Sequence, residues 1–239
     1  MMGLRQDRLR TLRLYLTVEH PCGYLDGRAA RNVVADPRVM DNGLYAQLAR
    51  LGFRRSGEHV YRPHCLGCGE CLSLRIPAGR FRPNRTQVRT ARANADLRVS
   101  CRQPGFSQEH YRLFERYLKH RHPNGGMDNP TPESYLSFIT ARWSDTRLYE
   151  FRQEKALLGV AVVDHLEDGL SAVYTFFDPQ AGRRSLGTYA ILWQIGEAAR
   201  LGLDWVYLGY WIRHCQKMAY KAGFRPHEVF IDGRWRPVA

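Results

Sequence analysis

The segment His64-Cys65-Leu66-Gly67-Cys68-Gly69-Glu70-Cys71 sets three thiols at a spacing of three, with glycines between them. Such a knuckle can wrap one metal ion, and Cys22, in Pro21-Cys22-Gly23-Tyr24, would complete a tetrahedral zinc set. Four thiolates would equally accept an iron–sulfur cluster. The competing reading is that these cysteines are small buried hydrophobes in a tight, turn-rich core. Cys101 and Cys215 stand apart from the knuckle and read as core residues.

Three further segments are cationic. In the stretch from Arg75 to Arg92, Arg85, Arg89 and Arg92 are spaced four and three apart, so on a helix they would share one face. A basic face suits a phosphate backbone, although a solvated helix face has the same pattern. Arg183-Arg184-Ser185-Leu186-Gly187-Thr188 directly precedes a helix. Backbone N–H groups at a helix start, next to two arginines, form an anion site. Only Gly182 and Gly187 are present there, short of a full glycine-rich loop, and helix capping would also explain Ser185 and Gly187. In the third segment a buried strand emerges at Gly209 into Tyr210 and Trp211, then enters a basic helix with Lys217 and Lys221. The end of a strand is where open α/β sheets place ligands. Stacking aromatics and lysines would suit an adenosine carrying a 3′-ester, while the plainer alternative has Tyr210 and Trp211 filling the edge of the core.

The whole chain is cationic. Its 239 residues hold 36 Lys plus Arg against 23 Asp plus Glu, a net +13, and lysine occurs only at Lys119, Lys155, Lys217 and Lys221. The arginine excess favours a polyanionic partner, because the planar guanidinium reads phosphate with paired hydrogen bonds. No apolar run approaches the ~20 residues needed to cross a membrane. Residues 1–15 carry Arg5, Arg8, Arg10 and Arg13 without the apolar stretch of a secretory signal. A cytoplasmic protein without membrane contact is expected, its cysteines reduced or bound to metal.

Two regions must position these groups. Residues 1–105 are turn-rich, Arg-rich and hold the cysteine knuckle; residues 106–239 alternate helices and strands. Ser107 can cap a helix to about Lys119, and Thr131-Pro132-Glu133 is a strong start for a helix burying Tyr135, Leu136, Ile139 and Trp143. A polar loop lies between them at 122–127. Strands are expected at about 146–152, 156–166 and 170–177, a helix at about 187–201, a strand at 205–208, a helix at about 213–221, and final strands around Asp232-Gly233. This is an α/β pattern with a mixed sheet. Its order matches that of GNAT-type acyltransferases, with a strand at 173–177, a loop at 178–187 and then a helix facing the donor.

Several motifs together resemble one family. They are Cys22-Gly23-Tyr24-Leu25, Gly52-Phe53-Arg54-Arg55-Ser56-Gly57, Tyr61-Arg62-Pro63-His64-Cys65 through Cys71, Ser171-Ala172-Val173-Tyr174-Thr175-Phe176-Phe177-Asp178-Pro179, Ser185-Leu186-Gly187, Tyr207-Leu208-Gly209-Tyr210 and Lys217-Met218-Ala219-Tyr220-Lys221. They resemble the arginyl-tRNA–protein transferases, and most closely the short bacterial branch of aspartate/glutamate leucyltransferases. The resemblance implies a GNAT-like fold, a charged tRNA as donor, a protein N-terminus as acceptor and no use of acetyl-CoA. It implies transfer of leucine to N-terminal Asp or Glu, which marks the acceptor for N-degron (N-end rule) degradation. Arginyl transfer is the alternative within the family. An acetyl-CoA-dependent acetyltransferase and a non-catalytic RNA-binding protein are more distant ones. Eukaryotic arginyl enzymes carry Cys-x-x-Cys where this sequence has Cys22 and Leu25, so Cys68 or Cys71 would have to stand in for the missing ligand.

Roles follow from that reaction. An aminoacyl ester is already activated, so no cofactor is required for the chemistry. Tyr174 and Asp178 flank the exit of the central strand and Tyr210 the exit of its neighbour, which makes them candidates for the reacting site. Asp178 or His120 could orient or accept the amine proton, although Asp178 before Pro179 also reads as a turn residue and His120 as a helix-end residue. Arg54, Arg55, Arg62 and Arg75 are candidates for the acceptor's carboxylate. Arg85, Arg89, Arg92, Arg183, Arg184, Ser185, Gly187, Trp211, Lys217 and Lys221 are candidates for the tRNA. Arginyl transfer would need a carboxylate such as Asp164 in the side-chain pocket, and leucyl transfer an apolar pocket.

Overall fold

The computed structural model describes residues 12–121 and 129–238. In chain order its elements are β1 (Leu14–Leu16), β2 (His20–Pro21), β3 (Ala29–Ala30), β4 (Asn32–Ala35), α1 (Asn42–Arg50), β5 (Arg54–Ser56), β6 (His59–Pro63), β7 (Leu72–Pro77), α2 (Arg85–Ala93), β8 (Arg98–Arg102), α3 (Gln108–Arg121), α4 (Pro132–Ile139), β9 (Thr146–Gln153), β10 (Ala156–His165), β11 (Gly169–Phe177), α5 (Leu186–Arg200), β12 (Trp205–Trp211), α6 (Gln216–Ala219), β13 (His227–Ile231) and β14 (Arg234–Val238). The loop expected at 122–127, and Arg5, Arg8 and Arg10, lie outside the described residues.

The large sheet runs β14-β13-β7-β12-β11-β10-β9-β8. Its strands pair antiparallel except for β11 and β12, which are parallel. It is therefore a mixed sheet, as expected. The change of texture near residue 105 does not interrupt it, because β7 and β8 come from the first region. In β7, Leu74 and Ile76 are buried while Arg75 points the other way, the two-residue alternation of a strand. That pattern lets β7 insert between β12 and β13.

Both faces of the central strands are covered, which explains the nearly continuous apolar run of β10. On one face Tyr149, Phe151, Ala161 and Val163 pack against the α5 residues Ala190, Ile191 and Ile195. On the other, Val160, Val162 and Phe176 meet Leu113, Phe114 and Leu118 of α3 with Tyr135 and Ile139 of α4. A smaller sheet, β1-β4-β6-β5, shares a third apolar cluster with α1 and Tyr207. Among the described residues no helix is long and apolar enough to cross a membrane.

The Thr131-Pro132 start behaves as read. Thr131 and Ser134 cap each other's backbone, and Pro132 sits in the first turn. The helix stops at Ile139, so Trp143 leaves it and packs edge-on against Tyr45 at 5.3 Å. The helix expected at 213–221 is shorter. Tyr210 and Trp211 continue pairing with Ser73 and Leu72 of β7 and so prolong the strand. The chain then makes only the single turn of α6 and a 3-10 turn over Tyr220–Gly223.

Candidate active site

β11 and β12 pair only at Gly169↔Trp205, Leu170↔Val206 and Ser171↔Tyr207. A Cβ on Gly169 would lie 2.5 Å from the Trp205 carbonyl oxygen, so glycine permits this close start. Beyond it the strands diverge, and each is bulged. Against β10 the register steps from Ala172 to Tyr174, leaving Val173 extra. Against β7 it steps from Tyr207 to Gly209, leaving Leu208 extra. Bulges bend a strand and leave backbone groups without a ladder partner. Two cations answer those groups. Arg54 Nη2 donates to the Val173 carbonyl at 3.1 Å, and Lys221 Nζ donates to the carbonyls of Leu208 and Tyr210 at 2.8 and 2.7 Å.

Arg54 enters this splay from β5. Gly209 has a φ of +71°, and a Cβ there would come within 2.8 Å of Arg54 Nη1. Glycine thus satisfies both the backbone angle and the space the guanidinium occupies. The Arg54 Cζ lies 5.8 Å from the Tyr210 ring centroid, a cation–π approach. Tyr210 is buried and its hydroxyl donates to the Tyr61 carbonyl at 2.8 Å. Burial, and then the neighbouring Tyr61, push the Tyr210 phenol well above its ordinary range, so it stays neutral. Tyr61, Tyr24 and Tyr210 surround Arg54, and no carboxylate pairs with it among the described residues. Lys221 is 6% exposed. Burial, with the Arg54 charge beside it, pulls its ammonium down to about 7.

Comparison with known proteins shows the family. The arginine-tRNA–protein transferase N-terminal model matches residues 20–89 and the corresponding C-terminal model residues 109–231. The chain belongs to the arginine-tRNA–protein transferase family. It is 56% identical over 223 residues to the aspartate/glutamate leucyltransferase of Nitrosococcus oceani, covering 92% of this chain and 94% of that one. It is 53% identical over 237 residues to the aspartate/glutamate leucyltransferase of Alkalilimnicola ehrlichii, covering 98% and 99%. The resemblance read from the motifs, to the leucyltransferase branch, is thereby borne out. Among solved structures, the C-terminal DUF2156 domain named as that of a lysylphosphatidylglycerol synthetase from Agrobacterium fabrum superposes with a TM-score of 0.50. It shares 16% identity, over 70% of this chain and 58% of that one, which is a likeness of fold alone.

Of the four arginines expected at the transferase's acceptor site, only Arg54 faces the splay with no carboxylate partner among the described residues. Arg55, next to it on β5, points to the opposite face, is 1% exposed and holds Asp164 at 2.7 Å, and it also donates to Thr146 and to the carbonyls of Gly57 and Ile139. Arg75 pairs with Glu228 at 2.7 Å and stacks on Trp205 at 3.5 Å. Arg62 donates to the Leu51 carbonyl at 2.9 Å and covers the Phe53 ring. Asp178 caps the turn after β11 through Gln180 N–H at 2.9 Å, the turn role that Pro179 suggested. His120 is exposed on the last turn of α3. Tyr174 is half-buried beside Phe138, Tyr117 and Phe177, and burial, then Tyr117, push its phenol up. These rings make an aromatic wall that the sequence reading does not name. Its signal was the run Tyr174-Thr175-Phe176-Phe177 opposite the aromatic face of α3.

The tRNA candidates divide in the same way. Arg85, Arg89 and Arg92 are exposed along α2, and Arg183 and Lys217 are exposed too. Arg184 instead ties its turn to Asp96 at 2.8 Å and to the Ala93 carbonyl. Ser185 adopts a left-handed backbone without side-chain capping of α5, and Gly187 backs onto the Phe177 ring. Trp211 packs in the main core, and Lys221 is committed to β12.

Cys22, Cys65, Cys68 and Cys71 are free thiols in one neighbourhood. Burial, and the nearby sulfurs of Cys22, Cys65 and Cys68, push the Cys71 thiol up to about 12. Cys65 Sγ also lies 3.5 Å from the Arg31 backbone N–H. Among the described residues, however, no group of three His, Cys, Asp or Glu side chains converges closely enough to hold a metal ion. Among the described residues the thiol set is gathered but not closed on one point.

Proposed function

We propose that the transferase takes leucine from a charged tRNA and joins it to the α-amine of a protein beginning with Asp or Glu, with Arg54 receiving the acceptor's side-chain carboxylate. The observation that carries this reading is the Arg54 guanidinium: half-buried in the splay, ringed by tyrosines and without a carboxylate partner among the described residues. A desolvated cation without a counter-ion is costly unless a ligand supplies one. The shared name of the curated relatives points to the same acceptors. For the donor side chain, the wall of Tyr174, Phe138, Tyr117 and Phe177 is apolar, as leucine requires. Asp164, the carboxylate considered for arginine, is neutralised by Arg55.

The chemistry is ester aminolysis. The attacking α-amine has an ordinary pKa of roughly 7.7–8.0, so a usable neutral fraction exists near neutral pH. Its nitrogen forms a bond to the ester carbonyl carbon, giving a tetrahedral oxyanion. Collapse breaks the bond to the ribose oxygen, which takes the proton lost by nitrogen. Tyr174, held as a neutral phenol, is the donor assigned to the oxyanion. Positioning two bound reactants supplies much of the rate. Arg85, Arg89 and Arg92 hold the tRNA backbone. The splayed mixed sheet beside α5 suits a GNAT-like site, and the incomplete glycine loop suits a donor other than acetyl-CoA. No cofactor is needed, and a tRNA donor suits the cytoplasm.

The test is to incubate the protein separately with radiolabelled Leu-tRNA and Arg-tRNA and peptides beginning with Asp, Glu or Ala. Leucine label on the Asp and Glu peptides alone is expected. Label from Arg-tRNA alone would favour the arginyl alternative, and no label from either would reject the reading.

A further inference from the structure

Lys221 is an unusual group to find at the splay. A lysine is rarely buried without a carboxylate, because removing an ammonium from water is costly. Here burial is compensated by two backbone carbonyls, those of Leu208 and Tyr210, at 2.8 and 2.7 Å. These residues flank Gly209, whose φ of +71° and missing Cβ make room for the Arg54 guanidinium. Lys221 therefore grips, from the 3-10 turn Tyr220–Gly223, the same three-residue bulge against which Arg54 is braced from β5. The Tyr210 hydroxyl then ties this bulge to the Tyr61 carbonyl in β6, the strand paired with β5. The connection closes into a ring: Lys221 to the Leu208–Tyr210 backbone, Tyr210 to β6, β6 to β5, and Arg54 of β5 back to Gly209.

We infer that Lys221 is a positioning residue for acceptor selection: it fixes the Gly209 bulge and through it the direction of Arg54, so the preference for an acidic first residue depends on a lysine that does not contact the acceptor. The inference rests on the assignment of Arg54 to the acceptor carboxylate. Without the two Lys221 hydrogen bonds, the carbonyls of Leu208 and Tyr210 lose their donor. The bulge is then free to relax toward regular pairing, and Gly209 shifts relative to the guanidinium. The aromatic wall beside Tyr174 and the exposed arginines of α2 are built from other elements and keep their places.

The experiment is a double-mutant cycle on the full-length protein, with Leu-tRNA as donor and peptides beginning with Asp or Glu as acceptors. Lys221→Met should raise the KM for these peptides roughly tenfold, the size of coupling found within one hydrogen-bond network. Leu-tRNA affinity and kcat should stay near those of the parent. In an Arg54→Met background, adding Lys221→Met should change the acceptor KM no further. That non-additivity is a readout a general loss of packing does not produce. Lys221→Arg, which keeps a charged donor, should raise the KM less than Lys221→Met. Should Lys221→Met fail to fold, Lys221→Gln, which has no ammonium to donate to the two carbonyls, decides, and an unaltered acceptor KM in that variant overturns the inference. Additive effects of Lys221→Met and Arg54→Met, or a loss confined to kcat or Leu-tRNA affinity, overturn it as well. If Arg54→Met itself leaves the acceptor KM unchanged, the assignment of Arg54 fails first. If Arg54→Met raises it and Lys221→Met does not, only the role of Lys221 fails.

Discussion

Arg54 and Arg55 are neighbours in β5, yet their guanidiniums occupy opposite electrostatic situations. Arg55 is sealed against the Asp164 carboxylate, while Arg54 lies against Gly209 among tyrosines, with no carboxylate partner among the described residues. Strand alternation alone sends the two side chains to opposite faces. On the proposed function, adjacent arginines thus divide the work, Arg55 serving the fold and Arg54 the acceptor.

Arg54→Met should therefore act on substrate selection. Removing one partner of a desolvated charge pair costs about 2 kcal/mol or more, which is roughly a thirtyfold fall in kcat/KM for Asp- and Glu-starting peptides. Leu-tRNA affinity should be unchanged. Steady-state kinetics with varied peptide, together with filter binding of Leu-tRNA, separate the two effects.

Arg55→Met should act on stability instead. It leaves Asp164, buried with Thr146, without its counter-charge. Breaking a buried pair from one side costs about 3–5 kcal/mol. Replacing both partners with apolar residues should cost less than either single change. Urea denaturation midpoints of the three variants measure this.

Glu150 sets a pH limit on the fold. Burial alone would raise its pKa, but hydrogen bonds from Arg152, His110 and Ser100 outweigh that and hold it at about 2. Its folded pKa lies below the unfolded value, so its contribution is fully present above the ordinary carboxylate range near 4.5. It is lost as pH falls from there toward about 2. Glu150→Gln should flatten this part of the stability–pH curve, as followed by thermal melting across that window.

The exposed face of α2 should report on the tRNA. Arg89→Glu is expected to weaken Leu-tRNA binding and to reduce the slope of log affinity against log salt by about 1. The acceptor KM should be unaffected. Binding titrations at several salt concentrations test this, and an unchanged slope would remove α2 from the tRNA interface.

Much of this architecture was legible in the sequence. The Thr131-Pro132 start, the strands of β9 to β11 and the helix α5 follow from capping chemistry and local periodicity. The motifs around Arg54 and Tyr210 carried the family resemblance. What was not legible depends on partners distant in the chain. Nothing local says that Tyr210 and Trp211 continue a strand, because the extension is made by pairing with β7. The basic helix expected around Lys217 and Lys221 gave way for the same reason, since Lys221 serves carbonyls of β12 instead of solvent. Which arginine of a pair faces the core is likewise fixed by Asp164, far along the sequence.

The insertion of β7 between β12 and β13 bears on biosynthesis. Translation delivers β7 first, and both of its neighbours, β12 and β13, emerge only after β8 to β11 have been made. The Leu74 and Ile76 strand must wait for its partners while β8 to β11 are made, and the sheet closes by long-range pairing, a slow step in folding. The splay at which Arg54 meets Gly209 is therefore assembled only after β8 to β11 have been made and β12 has followed them.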